Sequence, residues 1–140
     1  MTTAVIDSSV AVKWFVPEVL SEEAVHLLDG TWELLAPDLL LPECVNTLWK
    51  KVTRGELQVD EARAVLVGLA QVPLAIIPSS ELVEAALEIA IAHQRSVYDS
   101  LYVALAVARE CALITADDRL VNALARGPLA AHVRALSAGG

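Results

Sequence analysis

The chain has 140 residues, the usual size of one domain and too few for two, so we predict a single domain over residues 1–140. Apolar residues make up 56% of it, but Asp99, Arg109 and Glu110 interrupt the longest apolar stretch, which excludes a membrane span. The net charge of −8 argues against binding a polyanion unless something locally reverses the sign.

The hydropathy, the first residues and the cysteines of the chain give expectations about its partners, its location and its core. The mean hydropathy of +0.54 is high, which favours a homodimer or a tight complex. The first residues run directly into a predicted strand without the pattern of a secretion signal, so a cytoplasmic location is expected. Cys44 and Cys111 belong to no CxxC pair and are expected to be core residues.

The first half of the chain alternates between predicted strands and helices. Residues 3–7 are typical of a buried strand, and the helix that follows ends at Pro17. Ser21 is predicted to cap a second helix that stops at Gly30. A strand over residues 33–36 precedes a helix closed by Gly55, and an apolar stripe on that helix is expected in the core: Leu41, Val45, Leu48 and Val52.

The second half continues the alternation. Asp60 is predicted to open a helix to residue 71, residues 74–77 form a strand, and Ser79 or Ser80 caps a helix to residue 92. A helix over 98–110, a strand over 112–115, a helix over 117–126 and a short strand over 132–136 follow. Strands separated by helices predict crossovers, and hence a three-layer α/β/α domain with a central parallel sheet of four to five strands.

Four acidic residues are predicted to share one edge of this sheet. In a parallel sheet the chain passes from strand to helix at the carboxyl edge, so strand ends and first helical turns meet there. Asp7 ends the first strand, and Glu43 lies near the start of the helix after the second strand. Asp99 is in the first turn of the helix that leads into the fourth strand, and Asp117 follows the end of that strand.

Capping alone explains many acids at helix starts, and for Asp117 taken singly it is the preferred interpretation. Asp99 begins a helix that is apolar nearly all round, and Asp7 ends a strand that should be central. A buried, unpaired carboxylate is costly unless it is neutralised or bound to a cation.

Several carboxylates without matching buried cations are what Mg²⁺ or Mn²⁺ requires. Such an ion would reverse the local charge and assist hydrolysis of a phosphodiester. Basic residues around the rim are candidate phosphate contacts, although an ordinary solvated surface is the default for most of them: Lys13, Lys50, Lys51, Arg54, Arg95 and Arg119.

The sequence around each acid is specific enough to compare with known families. The four segments are VIDSS (5–9), PECVN (42–46), VYDSLYVALA (97–106) and TADDRL (115–120). In this order they resemble the PIN-domain ribonucleases, in particular the toxins of VapBC toxin–antitoxin systems. The resemblance implies metal ligation, directly or through water, by Asp7, Glu43, Asp99 and Asp117.

The same resemblance implies supporting residues and partners. Ser9 and Thr115 would be hydrogen-bonding supports, with Asn46 one turn from Glu43. Asp118 competes with Asp117 for the fourth position, and Asp117 is preferred because it directly follows Thr115-Ala116 as in the family. Homodimerisation is implied, as are an RNA substrate and a small antitoxin whose C-terminal segment lies across the groove.

Two other α/β protein classes, one without enzymatic activity and one a phosphatase, fit less well. A phosphoacceptor receiver domain needs an aspartate after the third strand, where Pro78-Ser79 stands, and a late lysine, whereas the last lysine is Lys51. A haloacid-dehalogenase-like phosphatase needs a second aspartate at the position of Ser9. The working hypothesis is a Mg²⁺- or Mn²⁺-dependent endoribonuclease of a toxin–antitoxin pair; the alternative is a PIN-fold RNA-binding or regulatory module with weak or no nuclease activity.

Overall fold

A parallel sheet forms the centre of the molecule in a computed structural model that describes residues 1–137. Residues 138–140, the end of the predicted domain, lie outside the described residues. The strands are β1 (Thr2–Ile6), β2 (Trp32–Pro37), β3 (Ala75–Ile77), β4 (Ala112–Thr115) and β5 (Val133–Ala135). Their order in the sheet is β3-β2-β1-β4-β5, and every pairing is parallel. The predicted α/β/α fold with a parallel sheet is confirmed.

Helices connect the strands, two of them in each of the first three connections. They are α1 (Ser8–Ala11), α2 (Ser21–His26), α3 (Leu40–Thr53), α4 (Val59–Gln71), α5 (Val83–His93), α6 (Val97–Ala108) and α7 (Asp118–Leu124). Three short 3₁₀ turns lie between them, at Val12–Trp14, Ser79–Glu81 and Ala130–His132. A search of residues 1–137 finds no helix of the length and apolarity that a membrane crossing needs.

The core is built around β1 and α6. β1 is the middle strand, and its last three residues, Ala4, Val5 and Ile6, are buried. α6 contacts β1, β2 and β4, and its residues from Ser100 to Ala106 are all buried, as its apolar sequence predicts. Asp7 and Asp99 are therefore attached to the two most deeply buried elements, which fixes both carboxylates relative to the core.

The apolar stripe predicted for α3 is partly wrong. Leu41 and Val45 are 40% and 39% exposed, and the buried residues are Leu40, Cys44 and Leu48. Because successive helical residues are about 100° apart, the core-facing side is rotated by one position from the predicted one at its N-terminal end. Cys44 is in the core as expected, and Cys111 is half-buried.

The predicted cap of α2 is also wrong. Leu20, in the left-handed region with φ of 68°, precedes the helix, and Ser21 is its first residue. The Ser21 hydroxyl instead accepts a hydrogen bond from the Glu18 N–H at 2.8 Å and donates to the Val16 carbonyl. α2 ends at His26, and Gly30, with φ of 91°, lies in the following turn rather than at the helix end.

Two other helix starts differ from prediction. Neither Ser79 nor Ser80 caps α5, since both belong to a 3₁₀ turn and the helix begins at Val83. α4 begins at Val59, one residue before Asp60, and a reciprocal capping box joins Gln58 to Glu61. The Q-x-x-E pattern that produces this box was present in the sequence.

Candidate active site

Asp7 lies at the carboxyl end of the central strand and caps α1. Its carboxylate accepts hydrogen bonds from the Ser9 hydroxyl and the Thr115 hydroxyl, each at 2.5 Å, and from the Val10 N–H at 3.3 Å. The Ser9 hydroxyl in turn accepts from the Ala116 N–H at 2.9 Å. Asp7 is only 8% exposed, so these contacts from α1 and β4 hold it in one orientation.

The environment of Asp7 disfavours its charged form. Burial raises the pKa of the carboxyl from 3.8 to about 6. The hydrogen bonds from Ser9, Thr115 and Val10 lower this pKa, but they do not offset the burial, and the nearby charge of Glu43 raises it further. The protein therefore holds a carboxylate where an ion of opposite charge would be strongly attracted.

Glu43 lies in the first turn of α3 and meets a side chain from α6. The Tyr102 hydroxyl, on a residue that is 2% exposed, donates a short hydrogen bond to the Glu43 carboxylate. Partial burial raises the pKa of Glu43, the Tyr102 hydrogen bond lowers it, and the charge of Asp99 raises it. Asp7, Glu43 and Asp99 thus form a continuous series of interacting acids.

Asp99 occupies the first turn of α6, as predicted. The Ser96 hydroxyl caps this helix by accepting from the Asp99 N–H at 3.0 Å. The Arg95 guanidinium lies 3.5 Å from the Asp99 carboxylate. Among residues 1–137, Arg95 is the only basic residue that forms an ion pair with any of the four acids, so their negative charge is incompletely balanced.

Asp117 follows β4 and caps α7. Its carboxylate accepts from the backbone N–H groups of Arg119 and Leu120, at 3.0 and 3.3 Å, and its own N–H donates to the Thr115 hydroxyl at 3.0 Å. Thr115 therefore connects Asp117 to Asp7. Asp118 is the exposed first residue of α7 and makes no contact of this kind within residues 1–137.

The predicted supports differ in how closely they approach the acids. Ser9 and Thr115 contact Asp7 directly and lie 3.3 Å from each other. Asn46 lines a cavity beside Glu43, but within residues 1–137 its side chain is not hydrogen-bonded to an acid. No three acidic, histidine or cysteine side chains of these residues approach closely enough to hold one ion directly.

Sequence reasoning missed Tyr102 as part of the site. The signal was available, because a tyrosine in a buried helix needs a partner for its hydroxyl. Tyr102 also lies three residues after Asp99, which places both on one side of α6. Its partner comes from α3, and no spacing within the sequence relates these two helices.

Replacing Tyr102 by phenylalanine should raise the pKa of Glu43, because the hydroxyl that stabilises the carboxylate is lost. NMR titration of the Glu43 carboxyl carbon in chelator would measure it. A Glu43 titration that is identical in both proteins would contradict the assigned contact.

The donor set fits a hard divalent cation. All the candidate ligands are carboxylate oxygens, the type that Mg²⁺ and Mn²⁺ prefer. Burial disfavours the ionised form of Asp7, and Asp99 has a single ion pair, so a bound cation would stabilise the charged form of this cluster. Because Mg²⁺ keeps several waters and takes one or two carboxylates, the wide spacing of the acids is compatible with it.

Known proteins resemble this chain in sequence. The PIN domain model matches residues 4–125. Ribonuclease VapC3 of Pyrobaculum aerophilum is 36% identical over 120 residues, which is 84% of this chain and 92% of that protein.

Solved structures share the fold at low sequence identity. The structure of VapBC2 from Rickettsia felis, bound to a promoter DNA fragment, matches with a TM-score of 0.68 at 13% identity, over 97% of this chain and 100% of that chain. Mycobacterium tuberculosis VapC20, a sarcin-ricin loop cleaving toxin, gives 0.60 at 17%, over 77% and 84%. The chain therefore belongs to the PIN-domain family and, within it, to the VapC ribonucleases.

Proposed function

We propose that residues 1–140 form one nuclease domain that hydrolyses RNA phosphodiesters with Mg²⁺ or Mn²⁺ and acts as the toxin of a toxin–antitoxin pair. The observation that carries this proposal is the buried Asp7 carboxylate, whose pKa is raised to about 6 beside Glu43. Asp7 caps α1, but burial disfavours its ionised form, and a bound cation would offset that cost.

Each residue of the site has a role in this proposal. Asp7, Glu43, Asp99 and Asp117 hold the ion, directly or through water. When bound, the ion supplies Lewis-acid stabilisation of the phosphodiester and of the leaving oxygen. The hydroxyls of Ser9 and Thr115 orient Asp7, and the Tyr102 hydroxyl orients Glu43. Arg95, already beside Asp99, is positioned to contact a substrate phosphate.

The partners follow from the family and from the exposed surface. A toxin–antitoxin complex from Klebsiella pneumoniae shares this fold, and VapC20 is a sarcin-ricin loop cleaving toxin. We propose that this chain likewise binds a cognate antitoxin, forms a homodimer and works in the cytoplasm. The exposed apolar residues of α3 support a covered surface: Leu41, Val45 and Trp49.

Cleavage of a mixed-structure RNA by the purified, antitoxin-free chain tests the function. With Mg²⁺ or Mn²⁺ the chain should cut the RNA, and excess chelator should stop it. Asp99→Asn should lose more than about 100-fold in rate, since loss of even an outer-shell partner costs 10–100-fold. Asp38→Asn is the matched control, because Asp38 also follows a strand at this edge but is exposed and outside the acid cluster.

The outcomes separate the two candidate functions. Cutting that persists in chelator, or in Asp99→Asn at the rate of Asp38→Asn, would contradict the proposed site. A folded chain that binds RNA and the metal but cuts no RNA would instead favour an RNA-binding or regulatory module.

A further inference from the structure

A cavity of about 420 Å³ opens directly beside the acid cluster. It lies between α3 and the start of α6, and the residues of its wall include Glu43, Ser8, Asn46, Lys50 and Tyr98. Its volume falls within the range of pockets that hold small molecules, about 300–1,000 Å³. A molecule bound there would lie against Glu43 and extend away from the acid cluster.

Tyr98 gives this cavity an exposed aromatic face. It is 62% exposed although it is on the most deeply buried helix, and it directly precedes Asp99. The second tyrosine of α6, Tyr102, is 2% exposed and uses its hydroxyl to hold Glu43. The two tyrosines therefore differ, and only Tyr98 presents its ring to a ligand.

Lys50 gives the cavity an ammonium group that is available to bind a ligand. It follows Glu43 by seven residues on α3, so the two lie on one side of the helix with Asn46 between them. Lys50 forms no ion pair within residues 1–137, whereas its neighbour Lys51 is paired with Glu18 at 2.8 Å. In a chain with net charge −8, an unpaired cation beside a carboxylate cluster favours an anionic ligand.

An aromatic face, an amide and an ammonium group together match the parts of a nucleotide. Bases stack on aromatic rings, phosphates pair with lysine, and amides bond to base edges. We infer that this cavity binds one unpaired RNA nucleotide next to the scissile phosphodiester, with its base on Tyr98 and its phosphate at Lys50. This inference rests on the proposed function, and it makes the enzyme selective for single-stranded segments, since paired bases are not available for stacking.

RNA binding by a cleavage-deficient protein tests the inference separately from catalysis. We would place all variants in an Asp7→Asn background and measure the Kd for a fluorescent, unstructured 12-nucleotide RNA by anisotropy. Tyr98→Ala and Tyr98→Leu should both weaken binding by at least about 5-fold, because both lack an aromatic face. Tyr98→Phe should stay within about 2-fold of the background, since it retains the ring for stacking.

Controls and salt dependence sharpen the test. Ile91→Ala is the matched control, because Ile91 is 68% exposed, about as exposed as Tyr98, but lies on α5 outside the cavity wall, and it should leave Kd unchanged. Lys50→Ala should reduce the slope of log Kd against log salt by about one. A duplex of the same sequence should bind more weakly and with no dependence on Tyr98.

Equal affinities for Tyr98→Ala and Ile91→Ala would overturn the inference, as would tighter binding of the duplex. Binding that depends on Tyr98 in a wild-type chain that cuts no RNA would support the cavity and contradict the nuclease. RNA cleavage by the wild-type chain, together with RNA binding that does not depend on Tyr98, would support the nuclease and contradict the proposed role of the cavity.

Discussion

Asp7→Asn is expected to abolish RNA cleavage and, without metal at pH 8, to make the folded protein more stable than the wild type. The amide keeps the shape of the side chain but carries no charge to attract a cation. We expect the cleavage rate to fall by more than about 100-fold, as for other losses at a metal site. The gain in stability has a separate cause, which is the unfavourable environment of the ionised Asp7.

The sign of the stability effect follows from the pKa. The pKa of Asp7 is about 6 in the folded protein and 3.8 ordinarily, so the protonated form stabilises the fold below about pH 4. This contribution is lost as the pH rises through 6. At 1.36 kcal/mol per pH unit the difference is roughly 3 kcal/mol, of which Asp7→Asn should recover a part.

Urea unfolding of the wild type and Asp7→Asn in chelator, at pH 4 and pH 8, measures the effect of Asp7 ionisation on stability. Asp7→Asn should have the higher midpoint at pH 8, and the advantage should shrink or vanish at pH 4. Saturating Mg²⁺ or Mn²⁺ should then stabilise the wild type and not the variant, because only the wild type gains binding free energy. If Asp7→Asn is no more stable than the wild type at pH 8, the ionised Asp7 does not destabilise the folded protein.

The positions of the four acids were predictable because they depend on connectivity rather than on detailed packing. A parallel sheet brings Asp7 and Asp117 to one edge whatever the side chains around them. Asp99 lies in the first turn of α6 as predicted, but the expectation of a buried, unpaired carboxylate was wrong, because its side chain is 33% exposed and pairs with Arg95. Glu43 was predicted at the same edge because it lies near the start of the helix that follows β2. Their metal-binding roles remain predictions that the substitutions above test.

What could not be predicted depends on contacts between distant elements. The Tyr102–Glu43 hydrogen bond joins α6 to α3, and the side of α3 that faces the core depends on where the helix begins. Starting the helix at Leu40 buries Cys44 and leaves Leu41 and Val45 outside. The missed caps have a local cause, since serine hydroxyls bond equally well in turns, as Ser21 does.

Leu105→Ala should destabilise the protein by about 2–5 kcal/mol, because it removes a side chain from the middle of the core and leaves a cavity. Leu105 is 1% exposed, and its helix, α6, packs against three strands. Urea unfolding should show a midpoint at least about 1 M lower than that of the wild type.

Val107→Ala is the matched control for Leu105→Ala, because Val107 lies two residues away on α6 but is 38% exposed. It should cost less than about 1 kcal/mol, since its side chain is already partly in water. Equal losses for the two variants would mean that α6 is not anchored by its buried side. Because α6 carries Asp99 and Tyr102, the same burial that stabilises the fold also fixes the position of the acid cluster.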